Sequence, residues 1–132
     1  MTLGIGRWKI IDDAEAFKFC IQNRSVRVAH AKYVMAHPEA INAVTNRPPT
    51  FQAIYSAAWR YILRNPDEAR KVMNDAYADR GDVLDDETWK ILLASHSRTA
   101  ITSKKSRERF LEKNGLMAYK DARQPTMFDP LK

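Results

Sequence analysis

Residues 46–64 read NRPPTFQAIYSAAWRYILR and predict the helix around which the rest of the chain packs. Two prolines end the preceding segment, and the hydroxyl of Thr50 is placed to cap the first turn that follows. Apolar residues then recur at steps of three and four, as in a helix that is buried over most of its circumference. They are Phe51, Ile54, Tyr55, Ala58, Trp59 and Ile62. This pattern predicts what holds the fold together and says little about function.

Helix-start signals recur along the chain, so we predict an all-α fold. Each signal is a polar residue that precedes an amphipathic segment and can accept hydrogen bonds from its first amides. These residues are Asp12, Ser25, Asn65, Asp85 and Ser103. The stretch after Ser25, VRVAHAKYV, also alternates between apolar and polar residues, so a strand remains the alternative there.

The predicted architecture is a single compact bundle of six or seven helices over residues 1–120. A short helix that opens at Pro38 and covers Ile41 and Val44 belongs to that count. The start, MTLGIGRWKIIDD, predicts an extended N-terminal arm or a short strand. Residues 121–132 contain two prolines and no helical period, and they are predicted to form a flexible C-terminal tail.

Length and composition favour an ordinary globular protein. A chain of 132 residues suits one domain that buries about two-thirds of its unfolded surface. Cys20 is the only cysteine, which excludes an intrachain disulfide and a multi-cysteine zinc site. The chain has no signal-peptide pattern and no apolar run near the roughly 18 residues that span a bilayer. We therefore expect a cytoplasmic protein without membrane contact.

The net charge of +6 is unevenly distributed along the sequence. Residues 18–64 carry seven basic groups against one acidic group, and residues 98–123 carry eight against three. Residues 65–90, between them, carry four basic and eight acidic groups. Two positive blocks thus flank a negative one and would attract a polyanion if the fold brought them onto one face. Internal charge pairing on a solvated surface is the alternative.

Residue types that carry catalysis form no recognisable site. The acidic residues lie mostly at helix starts, where capping and the helix dipole account for them. His30, His37 and His96 are scattered, and Ser95 points to a different side of its helix from His96. Four glycines supply no phosphate-binding loop. We therefore predict a protein that is not an enzyme and that holds no cofactor or metal.

A strongly basic helix is predicted between Ser103 and the pair Asn114 and Gly115. Cations on an exposed helix contact phosphates, and such binding depends on salt and carries little sequence information. The predicted nucleic-acid-binding residues are Arg98, Lys104, Lys105, Arg107, Arg109 and Lys113. An exposed helix with little packing is the alternative. A helix-turn-helix over residues 66–97 is not favoured, because its second helix begins with three carboxylates.

The last residues keep large apolar side chains, which a disordered end normally lacks because it cannot bury them. Residues 124–128, Gln-Pro-Thr-Met-Phe, resemble the peptide by which bacterial replication and repair proteins dock on the DNA polymerase sliding clamp. That pattern is Gln, two variable residues, Leu or Met, then Phe, and the proline here stands where leucine is common. The resemblance implies that Gln124 fixes the register by hydrogen bonds while Met127 and Phe128 fill an apolar cleft. Leu131 is a further candidate contact. Packing of the tail on its own domain is the alternative.

Two functions from different classes follow from these features. The first is a non-enzymatic, replication-associated protein that binds the sliding clamp and nearby DNA. Because it would occupy the cleft that the polymerase uses, an inhibitor such as a toxin or a phage takeover factor fits as well as a helper. The second is a structural or packaging component of a virus particle or other assembly.

Overall fold

The structure is a computed structural model, and it describes residues 11–23, 25–42, 45–77 and 85–122. These ranges contain six α-helices, one short 3-10 helix and no β-strand. The helices are α1 (Asp13–Asn23), α2 (Val26–Ala36), α3 (Phe51–Arg64), α4 (Pro66–Tyr77), α5 (Asp86–Ala100) and α6 (Lys104–Lys113), followed by the 3-10 helix (Met117–Tyr119). The prediction of an all-α fold is confirmed, and the strand alternative after Ser25 is wrong.

The chain divides into two compact units, and the division falls within α3 between Tyr61 and Ile62. The first unit contains α1, α2 and most of α3, and the second contains α4, α5, α6 and the 3-10 helix. The predicted N-terminal arm and most of the predicted tail lie outside the described residues. The predicted boundary between a domain over residues 1–120 and a tail over 121–132 therefore stays a prediction.

In the first unit, α1 and α2 pack against each other, and both begin at their predicted caps. The Asp12 carboxylate accepts a hydrogen bond from the Glu15 amide at 3.1 Å, and Ser25 Oγ accepts one from the Val28 amide at 3.3 Å. The Tyr33 hydroxyl of α2 accepts from the Asp12 amide at 3.2 Å. Burial raises the pKa of this phenol. The bond ties the start of α1 to the middle of α2.

Four apolar residues of α1 are buried. They are Ala16, Phe17, Cys20 and Ile21. Cys20 is completely enclosed and packs as a small apolar side chain of the core.

The predicted central helix, α3, begins after Thr50, whose Oγ1 accepts a hydrogen bond from the Ala53 amide at 3.1 Å. Its apolar stripe is buried, with Ile54 and Ile62 fully enclosed and Trp59 only 2% exposed. The apolar pattern of residues 51–62 is therefore confirmed as a core stripe. Burial of this many large side chains is the main favourable term in the folding of such a helix.

Polar and aromatic residues of α3 also contact α1 within the first unit. Arg60 donates from Nε and Nη2 to both carboxylate oxygens of Asp13, at 3.3 and 3.1 Å. The Phe17 and Tyr61 rings stack with their centroids 4.8 Å apart. A bidentate arginine–carboxylate pair and a ring stack thus fix α1 on the first three turns of α3.

A turn over residues 37–42 takes the place of the predicted helix at 38–44. The Asn42 amide donates to the Arg47 carbonyl at 2.8 Å, and the Asn42 carbonyl accepts from the Asn46 amide at 2.8 Å. Asn46 has a φ of 59°, a left-handed conformation that asparagine tolerates. These bonds close a loop with the backbone groups that a continuing helix would use. The prediction is therefore wrong for the described residues, and Val44 lies outside them.

In the second unit, α4 starts at Pro66 as predicted and buries Ala69 and Met73 completely. Val72, an apolar residue of the same helix, is exposed. Three residues advance a helix by about 300°, so Val72 lies roughly 60° from Ala69, at the edge of the stripe. The stripe of α4 is narrower than its apolar residues suggest.

The acidic start of α5 is explained by local bonds. The hydrogen bond from the Thr88 amide to Asp85, at 2.7 Å, lowers the pKa of the Asp85 carboxyl. Asp86 pairs with Lys90 at 3.0 Å and with Arg70 at 3.2 Å. The Lys90 pair is the main reason that the pKa of Asp86 is lowered and that of Lys90 is raised. Capping and surface pairing therefore account for the positions of these carboxylates.

Candidate nucleic-acid interface

Local signals define both ends of α6, the basic helix. It begins after the predicted cap, Ser103, and ends in the bond pattern of a Schellman motif. The Leu116 amide donates to the Leu111 carbonyl at 2.7 Å, and the Gly115 amide donates to the Glu112 carbonyl at 3.2 Å. Gly115 has a φ of 67°, which glycine adopts without strain. The chain is thereby turned back, and Leu116 is buried beside the end of α6.

The inner face of α6 consists of Arg107 and Leu111, four residues apart. Leu111 is completely buried and Arg107 is half-buried. Arg107 Nε donates to Ser97 Oγ at 2.9 Å, and its Nη2 donates to the carbonyls of Ala94 at 3.3 Å and Lys120 at 2.8 Å. One guanidinium thus joins α6, the C-terminal half of α5 and the end of the 3-10 segment. Its position near the last turns of α5 is also favoured by the helix dipole.

The outer face of α6 consists of Lys105, Arg109 and Lys113, which recur every fourth residue and are all exposed. Within the part of the chain that the structure describes, these side chains make no hydrogen bond or ion pair. Lys104 is likewise exposed in the first turn. Cations in a first turn are disfavoured by the helix dipole, so helix stability does not explain why lysines stand at 104 and 105.

Arg98 lies apart from both faces, in the last turn of α5. Its side chain is exposed, and its Nη2 is 3.5 Å from the Lys120 carbonyl, the same oxygen that accepts from Arg107. The six predicted residues therefore fall into three groups: the outer face with Lys104, the half-buried Arg107, and Arg98 beside it. The structure does not bring all six onto one surface.

Sequence reasoning missed the acceptors that hold Arg107, namely Ser97 and the carbonyls of Ala94 and Lys120. Ser97 is completely buried, and its hydroxyl donates to the Ala94 carbonyl at 2.6 Å. A signal for the inward position of Arg107 was present, since it precedes the apolar Leu111 by four residues and so shares its side of the helix. No signal in the sequence pointed to Ser97 or Lys120 as partners.

His30, His37 and Ser95 have bonds that a structural role explains. His30 Nε2 lies 2.8 Å from the Pro49 carbonyl, and His37 Nδ1 lies 3.0 Å from Glu39 Oε2. The Ser95 hydroxyl donates to the Leu92 carbonyl at 3.1 Å. The described residues contain no group of three or more histidine, cysteine, aspartate or glutamate side chains that could hold a metal ion.

Gln124, Met127, Phe128 and Leu131, the predicted partner-binding residues, lie outside the described residues. Among the helices described, none has the length and apolarity to cross a bilayer. Comparisons with protein-family models, with curated proteins and with solved structures found no match to this chain. The functional proposal accordingly rests on the residues of this chain alone.

Proposed function

We propose that this chain is a non-enzymatic, replication-associated binding protein of the cytoplasm that docks on the DNA polymerase sliding clamp. The observation that carries the proposal is the order Gln124, Met127 and Phe128 in residues 124–128, which resembles the clamp-binding peptide. A glutamine amide followed by two large apolar side chains offers register and burial in a short segment. A small protein bound in that cleft excludes the polymerase, so the expected effect on replication is inhibition.

The outer face of α6 supports a second contact, with the DNA that passes through the clamp. Lys105, Arg109 and Lys113 present three charges on one exposed strip, and no carboxylate among the described residues forms an ion pair with them. Contacts of this kind neutralise phosphates and release counterions. We propose that the tail supplies affinity for the clamp and that this face adds non-specific contact with DNA.

The clamp contact is tested with the full chain and purified sliding clamp in a titration. Phe128→Ala should remove binding, because the apolar anchor is removed. Thr126→Ala, at a variable position of the same pattern, should leave the affinity nearly unchanged. Equal affinity of Phe128→Ala and the unaltered chain, or no binding of the unaltered chain, contradicts the proposal.

The DNA contact is tested by the salt dependence of binding to a short duplex. Replacing Lys105, Arg109 and Lys113 with glutamine should lower the slope of log affinity against log salt by about 0.9 for each phosphate that the variant no longer neutralises. The matched control replaces three exposed lysines elsewhere with glutamine, namely Lys18, Lys32 and Lys71. Both variants change the net charge equally, so an equal decrease in slope would mean that α6 is not the DNA-binding surface.

A second candidate, a structural or packaging component, is supported by the outer side of α2. Met35 is 81% exposed and Val28 is 43% exposed, and the two lie on one side of the helix with Ala31. Exposed apolar side chains grouped in this way are typical of protein contacts. Light scattering distinguishes the candidates. A large assembly that dissociates in the Met35→Glu variant favours the structural component. A small species whose size changes only when sliding clamp is added favours the clamp-binding protein.

A further inference from the structure

Two arginine side chains meet at the backbone carbonyl of Lys120, where the 3-10 helix ends beside α5. The Lys120 carbonyl lies 2.8 Å from Arg107 Nη2 and 3.5 Å from Arg98 Nη2. The two guanidinium groups therefore approach the same oxygen atom, so their Nη2 atoms are at most 6.3 Å apart and the like charges repel each other. Lys120 adds a third positive charge on the residue that supplies this carbonyl. The shared carbonyl thus keeps the two guanidinium charges close together.

Among the described residues the two arginines donate only to neutral oxygens, and neither forms an ion pair with a carboxylate, although the exposed Asp121 follows Lys120 in the sequence. Other arginines of the chain are held differently. Arg60 binds both oxygens of the Asp13 carboxylate, and Arg70 pairs with Asp86. Arg60 and Arg70 thus each have a carboxylate partner, whereas Arg98 and Arg107 have none among the described residues. An anion from outside the chain would supply the missing charge.

The donors that remain in the cluster suit a phosphate group. Arg107 uses Nε and Nη2 for its three bonds and keeps the two N–H groups of Nη1. Its guanidinium is fixed by the buried Ser97, so it is preorganised before a ligand arrives. Arg98 and Lys120 are exposed and keep further donors. A phosphate has several oxygen acceptors, so one can accept from Nη1 of Arg107 while others accept from Arg98 and Lys120.

We propose that Arg98, Arg107 and Lys120 form a binding site for a phosphate group. Arg107 is the fixed member, and Arg98 and Lys120 complete the site from the end of α5 and the end of the 3-10 segment. The phosphate is either a free ion or a phosphodiester of a DNA backbone. The second source deepens the proposed function and rests on it, whereas the site itself does not.

The first experiment titrates the full chain with inorganic phosphate at constant ionic strength, with chloride as the control salt, and follows amide and side-chain resonances by NMR. Saturable shifts at residues 98, 107 and 120 are expected. The double variant Arg98→Gln/Lys120→Gln should weaken phosphate binding about tenfold or more, since it removes two charged donors. Both residues are exposed, so this variant keeps the fold, which its NMR spectrum verifies.

The matched control is Lys105→Gln/Arg109→Gln on the outer face, which carries the same charge change and should keep the phosphate affinity. A duplex titration with the same variants identifies the source. Weaker DNA binding of the Arg98→Gln/Lys120→Gln variant assigns the site to a backbone phosphate, and unchanged DNA binding together with abolished phosphate binding assigns it to the free ion. Either result supports the site.

The inference is overturned if inorganic phosphate gives no saturable response beyond chloride and the Arg98→Gln/Lys120→Gln variant binds duplex like the unaltered chain. It is also overturned if the two double variants lose phosphate affinity equally. Failure of the proposed function looks different. In that case phosphate still binds at the cluster while neither clamp nor duplex binds the full chain.

Discussion

Arg107 and Arg109 stand two positions apart in α6 and have opposite environments. Arg107 donates to a buried serine and to two backbone carbonyls, whereas Arg109 is exposed and makes no bond to a described residue. Two residues advance a helix by about 200°, so neighbouring arginines of this spacing face nearly opposite ways. The same residue type therefore makes three bonds within the fold on one face and none to a described residue on the other.

This difference shows why the charge of a segment does not locate a binding surface. Residues 98–123 carry eight basic groups, but the inner face of α6 uses one of them for packing. A substitution on the inner face should change stability, and one on the outer face should change DNA binding. Substitutions on the two faces, and at the bonds that position them, test this difference between the inner and outer faces.

The largest effect is expected from Leu111→Ala on the inner face. The side chain is completely buried, so its removal should lower the free energy of unfolding by about 3 kcal/mol, through the transfer energy of the removed atoms and an unfilled cavity. Urea denaturation followed by circular dichroism measures this. Lys105→Ala on the outer face is the control and should cost less than about 0.5 kcal/mol. Similar losses of unfolding free energy in the two variants would contradict the assignment of an inner and an outer face to α6.

Arg107→Ala should lower the free energy of unfolding by about 2 kcal/mol, because it leaves the Ser97 hydroxyl and two carbonyls without their charged donor. Arg109→Ala, the matched control, should leave stability nearly unchanged and should weaken duplex binding. The two arginines are thus expected to differ in their contribution to stability. If Arg109→Ala destabilises the protein as much as Arg107→Ala, the assignment of faces is wrong.

Gly115→Ala should cost about 1 kcal/mol, since the left-handed φ of 67° is unfavourable for a residue with a Cβ. A Cβ at this position would have no heavy atom of another residue within 4 Å, so the cost comes from the backbone alone. Urea denaturation again gives the value, with the exposed Glu112→Ala as the control. No cost would mean that the turn after α6 readjusts, and that Leu116 is not held by the Schellman ending.

The smallest effect is expected from the pH dependence of the α5 cap. The folded-state pKa of Asp85 is lowered by its bond from the Thr88 amide, so the carboxylate stabilises the fold above its unfolded pKa of roughly 4. This contribution disappears as the pH falls below that value through the folded-state pKa. Asp85→Asn should therefore show a smaller fall in stability between pH 5 and pH 2, by urea denaturation. Asp75→Asn is the control, and an equal change in both variants would remove the cap as the cause.

Much of the helical structure could be predicted because its signals are local. The caps at Asp12, Ser25, Thr50, Asp85 and Ser103 each form the expected bond to an amide three residues later. Such bonds depend on neighbours in the sequence and little on the rest of the fold. The helix predicted at 38–44 does not form, because Asn42 bonds to Asn46 and Arg47 instead. No capping pattern in the sequence predicts these bonds.

By itself the sequence determined where most of the helices begin and end, which stripe of α3 is buried, and how charge is distributed along the chain. Only the tertiary structure decided which cations of α6 are used internally, because the acceptors of Arg107 lie 10 and 13 residues away, on α5 and at Lys120. A helical pattern gives the direction of a side chain, but the group it meets depends on how distant segments pack. Arg107 and Arg109 differ for that reason.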